Sequence, residues 1–210
     1  TAGYKSNSDT QQYGADVSAG TTNWFLRGIA DYTDANNYED GNGDSVRSAY
    51  TNKEGVAILG YTPNDNTRLE LSYEANREED APHSDNDTTR LKFETGTPMG
   101  FLAGAKAELY YSDIDHLMDN YSLRELSSPM KMRVPSTSRT GGGRMIGEIH
   151  TANNMIWTIG ADYQKNNRDA KRYSGMAAGG YPTNLQSILW PDVDLKQTGL
   201  FAEFSRPLSD

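Results

Sequence analysis

The chain has 210 residues and a formal net charge of −9, and only 33 of its residues are Leu, Ile, Val or Phe, a fraction at which a charged chain ordinarily stays unfolded. Thirteen Tyr, three Trp and twenty Gly contradict disorder, unless the apolar residues are used on one side only. The absence of Cys excludes disulfides, thiolate metal sites and a Cys nucleophile, the acidic balance argues against a nucleic-acid partner, and no apolar run reaches the ~18 residues of a membrane helix.

Alternation of period two recurs along the chain in place of helical periodicity. Nine strands are expected, at about 11–19, 22–34, 53–62, 67–77, 88–97, 100–112, 143–151, 155–166 and 195–206. In the fourth, Leu69, Leu71 and Tyr73 interleave with Arg68, Glu70, Ser72 and Glu74. The fifth sets Leu91 and Phe93 between Arg90, Lys92 and Glu94, and the sixth sets Leu109 and Tyr111 between Glu108 and Tyr110. The eighth opposes Trp157, Ile159, Ala161 and Tyr163 to Thr158, Gly160, Asp162 and Gln164, and the ninth opposes Leu200, Ala202 and Phe204 to Gly199, Phe201, Glu203 and Ser205. Each has one greasy and one wet face. The third is less regular, because Val56 and Ile58 have the opposite parity to Leu59 and Tyr61. Four connections are short and carry turn residues (Gly20-Thr21, Pro63 to Asn66, Pro98-Met99 and Ala152 to Asn154). The other four, about 35–52, 78–87, 113–142 and 167–194, are long and polar, and short and long alternate strictly.

These features together fit an antiparallel transmembrane β-barrel wall, with short turns on one rim and long loops on the other. Leu69, Leu71, Leu91, Phe93, Leu109 and Leu200 should then face lipid, opposite Glu70, Lys92, Glu108 and Glu203. Tyr13, Trp24, Tyr32, Tyr73, Tyr111, Trp157 and Tyr163 lie near strand ends, where aromatic girdles sit. A soluble β-sheet binding module with large loops would show the same alternation; the loop asymmetry and the interfacial aromatics favour the membrane.

Several segments carry a family likeness. Tyr13-Gly-Ala-Asp, Asn23-Trp24, Tyr38-Glu39-Asp40-Gly41-Asn42-Gly43 and Leu59-Gly60-Tyr61-Thr62-Pro63, the last running into Thr67 to Glu74, resemble the early barrel of TonB-dependent outer-membrane receptors. Within that family, His116-Leu117-Met118 and Pro129-Met130-Lys131-Met132 look like the copper-importing subgroup. The resemblance implies a bacterial outer-membrane location and a barrel of about 22 strands around a plug. It also implies partnership with the TonB energy-transducing complex, and copper as the transported ion rather than a catalytic cofactor. With nine strands and no plug-like segment before Thr1, residues 1–210 are expected to form a partial barrel domain, part of a larger barrel. Siderophore or haem receptor barrels and a passive porin-like channel are the alternatives.

His116 and Met118 are the first metal candidates. Residues two apart on extended backbone point to the same side, with Cα atoms roughly 6.5 Å apart. Thioether is a soft donor suited to Cu(I), and imidazole also accepts copper. Met130 and Met132 repeat the spacing within the same expected loop, and Asp113, Asp115 and Asp119 surround the first pair. His83 reads as a solvated residue of an acidic loop, and His150 as a lumen-lining strand end. The basic stretches Arg139 to Arg144 and Lys165 to Arg172 read as solvated loops, and Gly141-Gly142-Gly143 as a flexible loop end. The acidic run Asp31 to Asp44 lacks calcium-loop spacing. No Gly-x-Ser-x-Gly turn is present, so no enzyme is expected.

Overall fold

The computed structural model describes residues 1–79, 83–122, 125–126, 128–151 and 154–206. Ten strands make one antiparallel sheet: β1 (Ala2–Lys5), β2 (Thr10–Gly20), β3 (Trp24–Ala35), β6 (Tyr50–Asn64), β7 (Thr67–Glu79), β8 (His83–Thr95), β9 (Gly104–Asp119), β10 (Met130–Thr151), β11 (Met155–Met176) and β12 (Asn184–Ser205). They pair in that order. Two short strands, β4 (Tyr38–Glu39) and β5 (Ser45–Val46), form a separate hairpin between β3 and β6.

Register places the greasy residues in rows across the sheet. Leu26, Leu59, Leu71, Leu91 and Leu109 are successive cross-strand partners. Beside them runs Trp24, Tyr61, Leu69, Phe93, Ala107, Met145, Ala161 and Leu200. On the opposite face Glu70, Lys92, Glu108, Arg144 and Asp162 form one row over five strands, with the sign of the charge alternating at every step. The expected facing is therefore observed for all ten residues named for it, Glu203 joining the polar face through Thr158 and Glu148.

Almost nothing is buried. Among the described residues the buried apolar side chains are Ala35, Ala170 and Pro182, whereas Leu200 is 83% and Met145 68% exposed. The sheet is a single layer with no interior to hold its leucines, so its apolar face suits a hydrocarbon surround rather than water.

That face is also banded along the strands. Trp24 packs on Tyr61 at 4.3 Å and Trp157 on Phe204 at 4.9 Å near one rim. Aliphatic residues follow, then Tyr73, Tyr111 and Tyr163, with Tyr13 beside Tyr32 at 6.4 Å. Beyond the tyrosines the same face carries ion pairs: Arg77–Asp87 at 2.7 Å, Arg139–Asp113 at 3.2 Å and Lys165–Asp194 at 3.1 Å.

The connections at 21–23, 65–66 and 96–103 share the first rim, as does the expected turn at Ala152 to Asn154, of which Ala152 and Asn153 lie outside the described residues. The connections at 36–49 and 177–183 share the other rim, as do Asn120 to Ser122 and Ser128-Pro129 between β9 and β10. Two expectations need correction. The main sheet has ten strands rather than nine, because the four-residue β1 has no alternation long enough to see. More importantly, the long loops expected at 78–87, 113–142 and 167–194 are largely strand: β8 begins at His83, β9 runs to Asp119, β10 starts at Met130 and β11 ends at Met176. Beyond the tyrosine belt both faces of β8 to β11 are mostly polar, so the hydrophobic alternation stops although the backbone ladder continues; in β12 the apolar residues lose period two where the register with β11 shifts. The basic stretches 139–144 and 165–172 are accordingly strand residues, not loops.

Gly141 to Gly143 is likewise inside β10. A Cβ at Gly142 would lie 2.6 Å from both Tyr110 Oη and the Tyr163 carbonyl, and one at Gly143 would lie 2.6 Å from Leu109 Cδ2. The glycines let β9 side chains lie across β10 on both faces.

Candidate metal site

The polar face is a lattice of compensated charge. Lys106 meets Glu94 at 2.5 Å, Arg90 meets Glu108 at 3.0 Å and Arg68 meets Glu70 at 2.5 Å. Arg68 and Arg144 also lie over the Phe25 and Phe201 rings, each at 4.8 Å. An apolar patch interrupts it where Ile29 pairs with Val56, which accounts for the mixed parity of the third expected strand. Near the first rim His150 Nε2 lies 2.5 Å from Glu148 Oε1 on this face, in the lumen-lining place expected of it. His83 opens β8 and sits 3.5 Å from Asp85.

Toward the second rim the charges give way to soft donors. His116 and Met118 lie on β9, not in a loop, and their parity with Glu108 puts both on the polar face. His116 pairs with Ser84 on β8 and Ser136 on β10, and Met118 with Val134. Met118 is half exposed. The His116 carbonyl accepts from Ser136 Oγ at 3.2 Å, while among the described residues no hydrogen bond or ion pair engages its imidazole. Both are available as ligands.

Met130 and Met132 open β10 on the same face. Met132 lies diagonally across from Met118, since Met118 opposes Val134, a spacing of about 7–8 Å. Asn120 fixes this corner: its side chain accepts from Met132 N at 2.7 Å and donates to the Met130 carbonyl at 3.2 Å. The four sulfur and nitrogen candidates seen in the sequence thus lie on one face, Met132 diagonal to Met118 and Met130 two residues further toward the rim, with His116 and Met130 at opposite ends of the row, while Asp113, Asp115 and Asp119 are not on that face. Odd parity turns those carboxylates to the other face, where Asp113 pairs with Arg139 and Asp119 accepts from Tyr121 N at 2.9 Å. Among the described residues no three His, Asp or Glu side chains are grouped to hold a metal.

The sequence reading missed Met176. It ends β11 directly opposite Met130, 46 positions away in the chain, and only the register joins them. Across the sheet, Tyr121 and the 177–183 connection lie over the other face. Arg133 lies 4.0 Å from the Tyr181 ring and 4.4 Å from that of Tyr173, and its Nε donates to the Pro182 carbonyl at 2.8 Å. Burial, and then the Asp119 carboxylate, pushes the Tyr121 phenol above its ordinary value, and Lys131 Nζ lies 5.5 Å from the centre of its ring.

No protein-family model and no curated protein sequence matches the chain. Among solved structures, one titled "Copper transporter OprC" superposes with a TM-score of 0.76 over 95% of this chain, at 24% sequence identity. The chain spans about a third of that protein's length (32%). The likeness shows the fold: an antiparallel β-barrel wall.

Proposed function

We propose that this chain is a wall segment of an outer-membrane, TonB-dependent receptor that imports copper, with His116 and Met118 among the metal ligands. The observation that carries this reading is the placement of an imidazole and a thioether, two residues apart, on the charged face of the barrel wall toward its second rim. A ligand set without carboxylates favours a soft cation over Mg²⁺ or Ca²⁺. The likeness to a structure titled as a copper transporter supports the same cargo. It also supports a role in passage rather than catalysis, and we assign the chain no catalytic step.

Two donors make an incomplete coordination sphere. The remaining ligands would come from a plug elsewhere in the whole receptor, which would also carry the contact with the TonB complex. In this reading the partners of the segment itself are outer-membrane lipid on one face and the plug and ion on the other. Thioethers give no advantage to a siderophore receptor or to a passive channel, so those alternatives lack a matching observation; imidazole and thioether also ligate haem iron, and the copper-titled structural neighbour is what favours the ion over haem.

The test is copper content of the purified full-length receptor carrying His116→Ala and Met118→Ala together. Loss of bound copper with the barrel still folded supports the proposal. Equal copper content in variant and native receptor overturns it.

A further inference from the structure

We infer that Lys92 and Arg144 form a binding site for a small oxyanion, of phosphate or carboxylate type, on the charged face of the wall. The site does not depend on the copper reading. Glu108, at its centre, is eight residues from His116 on β9, about 27 Å of extended strand.

The register sets each of these cations between two carboxylates, in the row Glu70, Lys92, Glu108, Arg144 and Asp162. The side chains do not pair along that row. Glu70 turns along its own strand to Arg68 at 2.5 Å, and Glu108 turns to Arg90 at 3.0 Å. Asp162 leans over Gly199, where a Cβ would collide with its carboxylate. Every carboxylate beside Lys92 and Arg144 is thus drawn off. Among the described residues neither cation makes a side-chain hydrogen bond or an ion pair.

Arg144 is nonetheless held. Its guanidinium lies over the Phe201 ring at 4.8 Å, and Phe201 itself is laid across Gly160, where a Cβ would collide with the ring. Stacking takes up one flat face of the guanidinium and leaves the N–H edges free, and those edges match two oxygens of a carboxylate or phosphate. Lys92 brings a mobile point charge from two strands away, with Glu108 between them on the ladder. Lys92, Lys106, Arg144, Glu94, Glu108 and Ile146 are among the residues that line a cavity of about 230 Å³ between β8, β9 and β10. Glu94 is matched by Lys106 at 2.5 Å and Glu108 by Arg90, so Lys92 and Arg144 leave the cavity with two uncompensated positive charges. A dianion of a few heavy atoms, bidentate on Arg144 and reached by Lys92, fits that charge and that volume. A metal cation is repelled by the same two groups.

The experiment titrates inorganic phosphate by calorimetry into detergent-solubilised full-length receptor, at low salt and slightly above neutral pH, where phosphate is mainly a dianion. Three proteins are compared: native, Lys92→Gln/Arg144→Gln, and Lys5→Gln/Lys196→Gln. The last removes the same charge from exposed lysines away from the cavity. Substitutions at such exposed positions cost little stability, so all three walls should fold, and heat-modifiable gel mobility checks that they do. The expected result is saturable binding of one phosphate in native receptor and in the Lys5/Lys196 variant, weakened about tenfold or more in the Lys92/Arg144 variant. Succinate should compete for the same site. Equal weakening in the two variants overturns the inference, because phosphate would then follow net charge alone. Absence of saturable binding in native receptor also overturns it, since the receptor's own carboxylates would then fill the site.

Discussion

Leu71→Arg places a guanidinium in the middle of the apolar band, in the row that joins Leu59, Leu71 and Leu91. In water the change would be nearly neutral. Leu71 is already 46% exposed, and substitutions at such surface sites usually stay within about 0.5 kcal/mol. In a bilayer an arginine on the lipid face near the midplane costs about 2–4 kcal/mol, and near the interface about 0–1 kcal/mol. The structure supplies two controls. Ala75→Arg lies on the same face of the same strand but past Tyr73, in the ion-pair band, and should cost about 1 kcal/mol or less. Gln164→Arg lies on the polar face beside the tyrosine belt, between Gly142 and Gln197, and should change stability by about 0.5 kcal/mol or less. The assay is denaturant titration of reversible folding of the full-length receptor in phosphatidylcholine vesicles. Leu71→Arg should lower the folding equilibrium constant roughly 30- to 700-fold, at 1.4 kcal/mol per factor of ten, with both controls near native. An equal cost at Leu71 and Gln164 would refute the assignment of the leucine face to lipid.

Three further outcomes follow from the same geometry. Gly142→Ala drives a Cβ against Tyr110 and the Tyr163 backbone and should cost about 1–3 kcal/mol, whereas Gly141→Ala, whose Cβ would sit 3.6 Å from Tyr111, should be tolerated; heat-modifiable gel mobility measures both. Spin labels at Leu91, Leu109 and Leu200 should be quenched by lipid-soluble oxygen, and labels at Lys92, Glu108 and Glu203 by a water-soluble nickel chelate; the reverse pattern would invert the wall. Arg77→Ala removes the pair with Asp87 above the tyrosine belt and should cost about 1 kcal/mol or less, since the groups remain open to water; a thermal melt of the receptor in detergent reads it.

The fold was legible wherever the two faces of a strand meet different solvents. Leu69 to Tyr73, Leu91 with Phe93, and Trp157 to Tyr163 alternate because one face is apolar and the other charged, and the structure keeps each set on one face. Where both sides are mostly polar, in the upper halves of β8 to β11, the pattern has no contrast; in β12, Leu185, Ile188, Leu189 and Trp190 break period two where the register with β11 shifts. These segments therefore read as loops, and His116, Met118, Met130 and Met132 were given to a loop although they are strand residues.

The candidate site divides in the same way. The sequence by itself determined the donors: two-residue spacing in extended chain puts His116 beside Met118 and Met130 beside Met132 on either backbone reading, because side chains alternate with a period of two. It could not say which of the nearby carboxylates share that face, since this depends on parity continuing unbroken from Glu108 through Asp119. Nor could it join Met130 to Met176, or place Met132 diagonally from Met118. Those proximities depend on strand register, which is set by the pairing of whole strands, and only the assembled sheet decides it.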